Sequence, residues 1–172
     1  MTEIEVVHGD ITKQKTDAIV SAGNATLVTG GGTLDRAVRA AAGPQLMECF
    51  SRIRNERGGC FVGEAIVVDG FDLFAKKIIL TTGPMYMGGK NGEPQALAEC
   101  YKNCLLAAYQ EGCQSIAFPN ISTGAYAYPK SDAANVAIKT VREILTEISP
   151  IKKIVFVCFD EQNYKIYKEL LG

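Results

Sequence analysis

Apolar residues recur along this chain in two rhythms. Short β-rich runs at Ile4–Val7, Ala18–Ser21, Ala65–Val68, Lys77–Thr81, Ser115–Phe118 and Ile154–Phe159 read as strands. Between most of them, apolar residues return every three or four positions, the spacing of a helix that buries one face. Thr33–Ala42 is one such stretch, ended by Gly43-Pro44, and Pro44 opens a second helix running towards Arg54. A long amphipathic helix covers about Gln95–Glu111, with Leu97, Tyr101, Cys104, Leu105 and Ala108 on one face and Gly112 as its stop. Ser131–Ile148 follows, with Ser131 as the expected N-cap and Asp132 in the first turn, and Gln162–Leu171 is the last helix.

Strands alternating with helices in the second half predict parallel pairing. Ala65–Val68 and Lys77–Thr81 have no helix between them, which makes the sheet mixed. The expected architecture is an α/β fold, a three-layer α/β/α sandwich around a mixed central sheet, in one domain over residues 1–172. Ligands of such sheets bind beyond the carboxyl ends of the strands, so the loops that follow strands carry the interest.

Composition narrows the choice. Apolar residues at 47% and charged residues at 22% of 172 suit a globular core that needs no disulfide or metal. No apolar run has the length of a membrane span, and MTEIEVVHGDI lacks the basic region of a signal peptide. The chain is therefore expected in the cytoplasm, with no membrane partner. A net charge of −1 without a basic stripe argues against a nucleic-acid partner. The six cysteines contain no CxxC and His8 is the sole histidine, so reduced structural thiols are expected and neither a metal nor a cofactor is called for.

Two loops could hold a phosphate. After the second strand, Gly30, Gly31 and Gly32 run into the start of the Thr33 helix. Glycine allows close backbone approach, and helix N-terminal amides attract an anion without a cation nearby. The spacing is neither GxGxxG nor a Walker A sequence, and a plain flexible turn is the competing reading. After Ser115–Phe118 comes a second small-residue loop, Ser122, Thr123, Gly124, Ala125 and Tyr126, in the same position relative to the sheet. A pyrophosphate held between two amide-lined loops needs no lysine or arginine, and Tyr126 and Tyr128 are candidates to cover a sugar. Asp10, after the first strand, can accept from an exocyclic amine such as that of adenine, against a turn or cap role. Phe159 can stack on a base, against ordinary core packing. Asn24 and Asp35 flank the glycine loop. An amide orients a hydroxyl and a carboxylate takes a proton from water, against an Asx turn and a helix-start aspartate.

Taken together, GDIT (9–12), TDAIVSAGN (16–24), TGGG…D (29–35), AAG (41–43), GEA (63–65), TTGP (81–84), IAFPNISTGAYAYP (116–129) and VFVCFD (155–160) resemble the macrodomain family in order and spacing. The likeness is greatest to the branch that hydrolyses ADP-ribose from modified proteins and deacetylates O-acetyl-ADP-ribose. It implies that Asp10, with the backbone of Ile11, holds the adenine amino group and that Phe159 stacks on the ring. Gly30–Gly32 and Ser122–Tyr126 would wrap the diphosphate, Asn24 would orient the distal ribose, and Asp35 would activate the water that attacks the ester carbon. The partners implied are ADP-ribose, O-acetyl-ADP-ribose and mono-ADP-ribosylated proteins, with a non-catalytic ADP-ribose reader as the alternative. Ser21 stands where the family usually has asparagine, and Leu80 and Ala127 replace a frequent histidine and glycine. The segment from Asn24 to Asp35 is one residue longer than the common spacing. Counting back from Gly43 brings Asp35 into register, whereas counting forward from Asn24 brings Leu34 there.

Overall fold

A computed structural model describes residues 1–27, 32–149 and 151–172. The strands are β1 (Glu3–His8), β2 (Ala18–Ala22), β3 (Ala65–Asp69), β4 (Lys77–Thr81), β5 (Ser115–Phe118) and β6 (Lys153–Cys158). They form one sheet in the order β1-β6-β5-β2-β4-β3, parallel throughout except for β3, which runs antiparallel to β4 along the edge. The mixed sheet expected from the helix-free step between β3 and β4 is therefore present. The helices are α1 (Thr33–Ala42), α2 (Pro44–Arg57), α3 (Glu93–Gln110), α4 (Lys130–Leu145) and α5 (Glu161–Leu171). Among the described residues no helix is long and apolar enough to cross a membrane.

The central strands are apolar on both faces because both are covered. Along β6, Ile154, Phe156 and Cys158 face α3, α4 and α5, while Val155 and Val157 face α1 and α2. Ala18 and Val20 of β2 alternate with Ile19 in the same way. The first face carries a run of aromatic contacts, Tyr101–Phe118 at 5.2 Å, Phe118–Phe156 at 5.9 Å and Phe156–Tyr167 at 5.1 Å between ring centres. Burial of each such side chain contributes about 1.5–3 kcal/mol. The thiols of Cys60, Cys100, Cys104, Cys113 and Cys158 are buried and act as small core groups.

Several element ends differ from the sequence reading. The α4 helix starts at Lys130 after Pro129 and ends at Leu145; Ser131 is not its cap, and no side chain caps that end. Pro129 stands at the N-cap with φ −57° and brings no side-chain acceptor to the helix start. The GDITKQKTD connection contains a turn of 3-10 helix at Ile11–Lys13, capped by Asp10, whose Oδ1 accepts from the Thr12 amide at 2.9 Å and the Thr12 hydroxyl at 2.7 Å. The α3 helix begins two residues earlier than expected, at Glu93, and Gly112 follows its end with φ +77°.

That early start has a cause. Glu93 is 3% exposed and its carboxylate accepts from the amides of Met87 at 2.7 Å, Gly89 at 2.9 Å and Asn91 at 2.6 Å. It folds the β4–α3 loop around itself, and that loop reaches the β5–α4 loop through Tyr86 N–H donating to Tyr126 O at 2.9 Å. Burial opposes the Glu93 charge, but the amides outweigh it and hold the carboxyl down at about 2. The folded value lies below the unfolded one, so the stabilisation is complete above the ordinary glutamate range and is lost as pH falls towards about 2. Glu93→Gln is expected to abolish this acid-dependent part of the stability and to speed amide exchange at Met87, Gly89 and Asn91. Denaturation followed across the acid range, with hydrogen exchange, checks both.

Candidate active site

The β2 strand delivers the chain to α1 on one face of the sheet, and its neighbour β5 delivers it to α4 on the other. Loops leaving in opposite directions open a crevice at the carboxyl ends of the strands. A cleft of about 1000 Å³ lies there, walled by the ends of β1, β2, β4, β5 and β6 and the first turns of α1.

Most residues singled out from the sequence meet in this cleft. Asp10 and Ile11 enter from β1, Asn24 from β2, Ser122 to Tyr126 from β5, and Phe159 from β6. Gly32 lines it at the start of α1, whereas the expectations for Gly30 and Gly31 lie outside the described residues. Asp10 serves both readings offered for it, since its Oδ1 caps the 3-10 turn while the residue remains on the cleft wall. Phe159 is not core packing. It stands one residue beyond β6 and is 71% exposed on the cleft wall. Tyr126 lines the cleft, but Tyr128 is 3% exposed and packs in the core against Tyr86 at 4.9 Å, because Ala127 with φ +58° turns the chain between them. Asn24 is on the wall, its Oδ1 accepting from the Thr26 hydroxyl at 3.1 Å.

Asp35 is the residue that the geometry treats differently. Leu34 and Ala37 face the cleft, while Asp35 is 4% exposed and lies behind Gly23, which is on the wall. Its Oδ2 accepts from Arg39 Nε at 2.8 Å one turn along α1. Arg39 is itself set over the Phe50 ring at 4.7 Å, with Nη1 3.2 Å from Met47 Sδ. Burial raises the Asp35 carboxyl above its ordinary range, and the adjacent guanidinium works against that rise. The two counts along the sequence thus have a structural counterpart: Leu34 occupies the wall and Asp35 stands directly behind it.

Other wall residues escaped the sequence reading. Gly83 of TTGP follows β4 and obeys the same rule that drew attention to the other loops, so it was findable. Asn120, Lys130 and Asn163 also line the cleft, but isolated polar residues in a loop and two helix starts carry no signal in one sequence. Gly83 is required by contact. A Cβ there would run into Ser122 Oγ and lie 2.6 Å from Ile121 Cγ2. Ser122 itself has φ +67°, so the β5–α4 loop has little freedom to retreat. Gly83→Ala is expected to destabilise the fold by about 1–3 kcal/mol through overpacking and to displace the Ser122–Tyr126 loop, as thermal denaturation and amide resonances of that loop would register.

Comparison with known proteins agrees with this geometry. Residues 20–137 match the model of the Macro domain family. A protein of Cronobacter turicensis named O-acetyl-ADP-ribose deacetylase is 46% identical over 169 residues, covering 98% of this chain and 96% of its own. The Salmonella typhimurium protein of the same name is 44% identical over 170 residues, covering 99% and 94%. Among solved structures, the Oceanobacillus iheyensis macrodomain with ADP superposes with a TM-score of 0.92 at 39% identity, covering 98% of this chain and 89% of that one. A Trypanosoma brucei macrodomain in complex with ADP-ribose gives 0.88 at 34%, covering 99% and 69%. The chain belongs to the macro domain family.

Proposed function

We propose that this protein binds ADP-ribose along the cleft and hydrolyses its acyl esters, O-acetyl-ADP-ribose foremost and mono-ADP-ribosyl groups on glutamate or aspartate side chains as well. The observation that carries the reading is the order of the cleft wall. Asp10 and Phe159 flank one end above the adjacent strands β1 and β6, the amide-rich loop after β5 follows, and Asn24 stands beyond it, two residues past the end of β2. A base, a ribose, a diphosphate and a second ribose follow one another in the same sense. Relatives named for O-acetyl-ADP-ribose deacetylation support the activity.

In this reading the Asp10 carboxylate accepts from the adenine amino group while its cap to Thr12 keeps it fixed, and the exposed Phe159 ring stacks on the base. Backbone amides of Gly30–Gly32 and Ser122–Tyr126 hold the diphosphate. Asn24 orients the distal ribose. Water adds to the ester carbonyl carbon as Asp35 takes its proton. The carbon–oxygen bond to the sugar then breaks, the sugar oxygen is protonated, and ADP-ribose leaves with acetate or the side-chain carboxylate. An Asp35 carboxyl raised above the ordinary range is a better base near neutrality than a free aspartate.

One observation favours a second reading, a module that binds ADP-ribose without turnover: Asp35 is held by Arg39 and is not on the cleft wall. The two separate in one experiment. Release of acetate from O-acetyl-ADP-ribose, and of ADP-ribose from a glutamate-linked protein, is measured for wild type and Asp35→Ala. The hydrolase reading expects release that falls by on the order of 100-fold or more without Asp35, and a wild-type rate that is lost on acidification, the loss setting in above the usual aspartate range because only the ionised carboxylate accepts the proton. No release from wild type, with ADP-ribose still bound, makes the chain a reader.

A further inference from the structure

Beyond Asn24 the sheet continues to β4 and β3, with Ala22, Thr81 and Ala65 side by side in register. Because β3 runs antiparallel, the segment leading into it, residues 60–64, lies at the carboxyl ends of β2 and β4, the same end as the cleft. It is bonded there. The Cys60 amide donates to Ala25 O at 2.8 Å, one residue past Asn24, and the Gly63 amide donates to Thr82 O at 3.0 Å, one residue before Gly83. Phe61 and Val62 of this segment are 49% and 51% exposed, and Met85 and Met87 in the loop after Gly83 are 57% and 64% exposed. Of the nine large apolar side chains exposed among the described residues, these four share the margin of the cleft beyond Asn24, at the opposite end from Phe159.

The backbone beneath them is fixed. The Glu64 carboxylate accepts from the Phe61 N–H at 2.8 Å and from Arg57 Nη2 at 2.6 Å, and the Arg57 guanidinium lies 5.9 Å from the Phe61 ring centre. Val62 is bridged to Thr82. The Met87 amide is one of the three that Glu93 gathers, and Tyr86, between the two methionines, packs against Tyr128. Apolar side chains held in water on an ordered backbone mark a surface that meets a partner. O-acetyl-ADP-ribose offers nothing to such a surface, because it ends in an acetyl group on the distal ribose. A glutamate- or aspartate-linked substrate carries its polypeptide on from that same ribose. We propose that Phe61, Val62, Met85 and Met87 form a docking surface for the polypeptide that bears the ADP-ribosyl group, covering apolar residues that flank the modified carboxylate. This rests on ADP-ribose lying along the cleft with its distal ribose at Asn24. Unbranched methionines adapt to partners of different shape, so the surface favours apolar flanks without demanding one sequence.

The test uses two synthetic peptides that carry ADP-ribose on a side chain through a stable amide in place of the ester. One has leucine and phenylalanine flanks, the other serine and glycine flanks. Their affinities and that of free ADP-ribose are measured by calorimetry for wild type and for Phe61→Ser/Met85→Ser/Met87→Ser. Wild type is expected to bind the apolar peptide on the order of tenfold more tightly than the polar peptide or free ADP-ribose. The triple variant is expected to lose that preference, with its affinity for free ADP-ribose and its Tm little changed. Equal affinities in wild type, which need no variant to fold, or a preference that survives in the variant, overturn the inference. Because the amide is not hydrolysed, the result is the same for a hydrolase and a reader. Wild type that binds free ADP-ribose but shows no preference loses the docking surface alone, whereas wild type that binds no ADP-ribose loses the reading of the cleft and the docking surface with it.

Discussion

The structure depends on one constraint: a parallel sheet whose strands are buried on both faces. Chain leaving such a sheet must go up or down to cover it, and at the neighbours β2 and β5 it goes opposite ways, to α1 on one face and α4 on the other. The crevice between the departing loops is a consequence of covering the sheet, and Asp10, Asn24, Ser122 to Tyr126 and Phe159 all sit where this topology brings the strand ends together, with Asp35 one turn into α1 behind them. The alternation of Phe156 and Val157 to opposite faces and the location of the cleft therefore have the same origin.

Around that crevice, small residues serve packing as much as ligand contact. Gly83 lets the β5–α4 loop lie against the end of β4, and Gly23 lets a buried carboxylate lie against the end of β2. The loops are further fixed by groups far from the chemistry. Tyr101, fully buried on α3, donates its hydroxyl to Pro119 O and accepts from the Ile121 amide, each at 3.3 Å, and Glu93 gathers three amides of the β4–α3 loop. A site built from backbone amides is only as well formed as the backbone that carries them, which is the physical reason for so many anchors beneath it.

Much of this was legible in the sequence. The short apolar, β-rich runs marked all six strands, and the absence of a helix between residues 69 and 77 implied a mixed sheet, whose antiparallel pair is β3 with β4. The rule that ligands meet loops at strand ends led to Asp10, Asn24 and Ser122–Tyr126, all of which line the cleft. What the residues alone left open or missed has local reasons. Core packing competed with base stacking for Phe159 because an aromatic after a strand of valines has the same composition whether it ends inside or one residue outside. Tyr128 was grouped with Tyr126, and a single left-handed residue at Ala127 sends the second ring to the core. The place of Asp35 could not be settled by counting, because helical phase separates Leu34 from Asp35 by about 100°, and only the packing of Gly23 and Arg39 says which way the carboxylate points.

The account stands on ADP-ribose lying along the whole cleft, and the most direct test is its titration into isotopically labelled protein, followed through backbone amide resonances. The expected result is a single saturable transition in which Asp10, Asn24, Gly83, Ser122 to Tyr126 and Phe159 shift together while the outer face of α2 stays still. Saturation without shifts at these residues, or shifts confined to one end of the cleft, would contradict it.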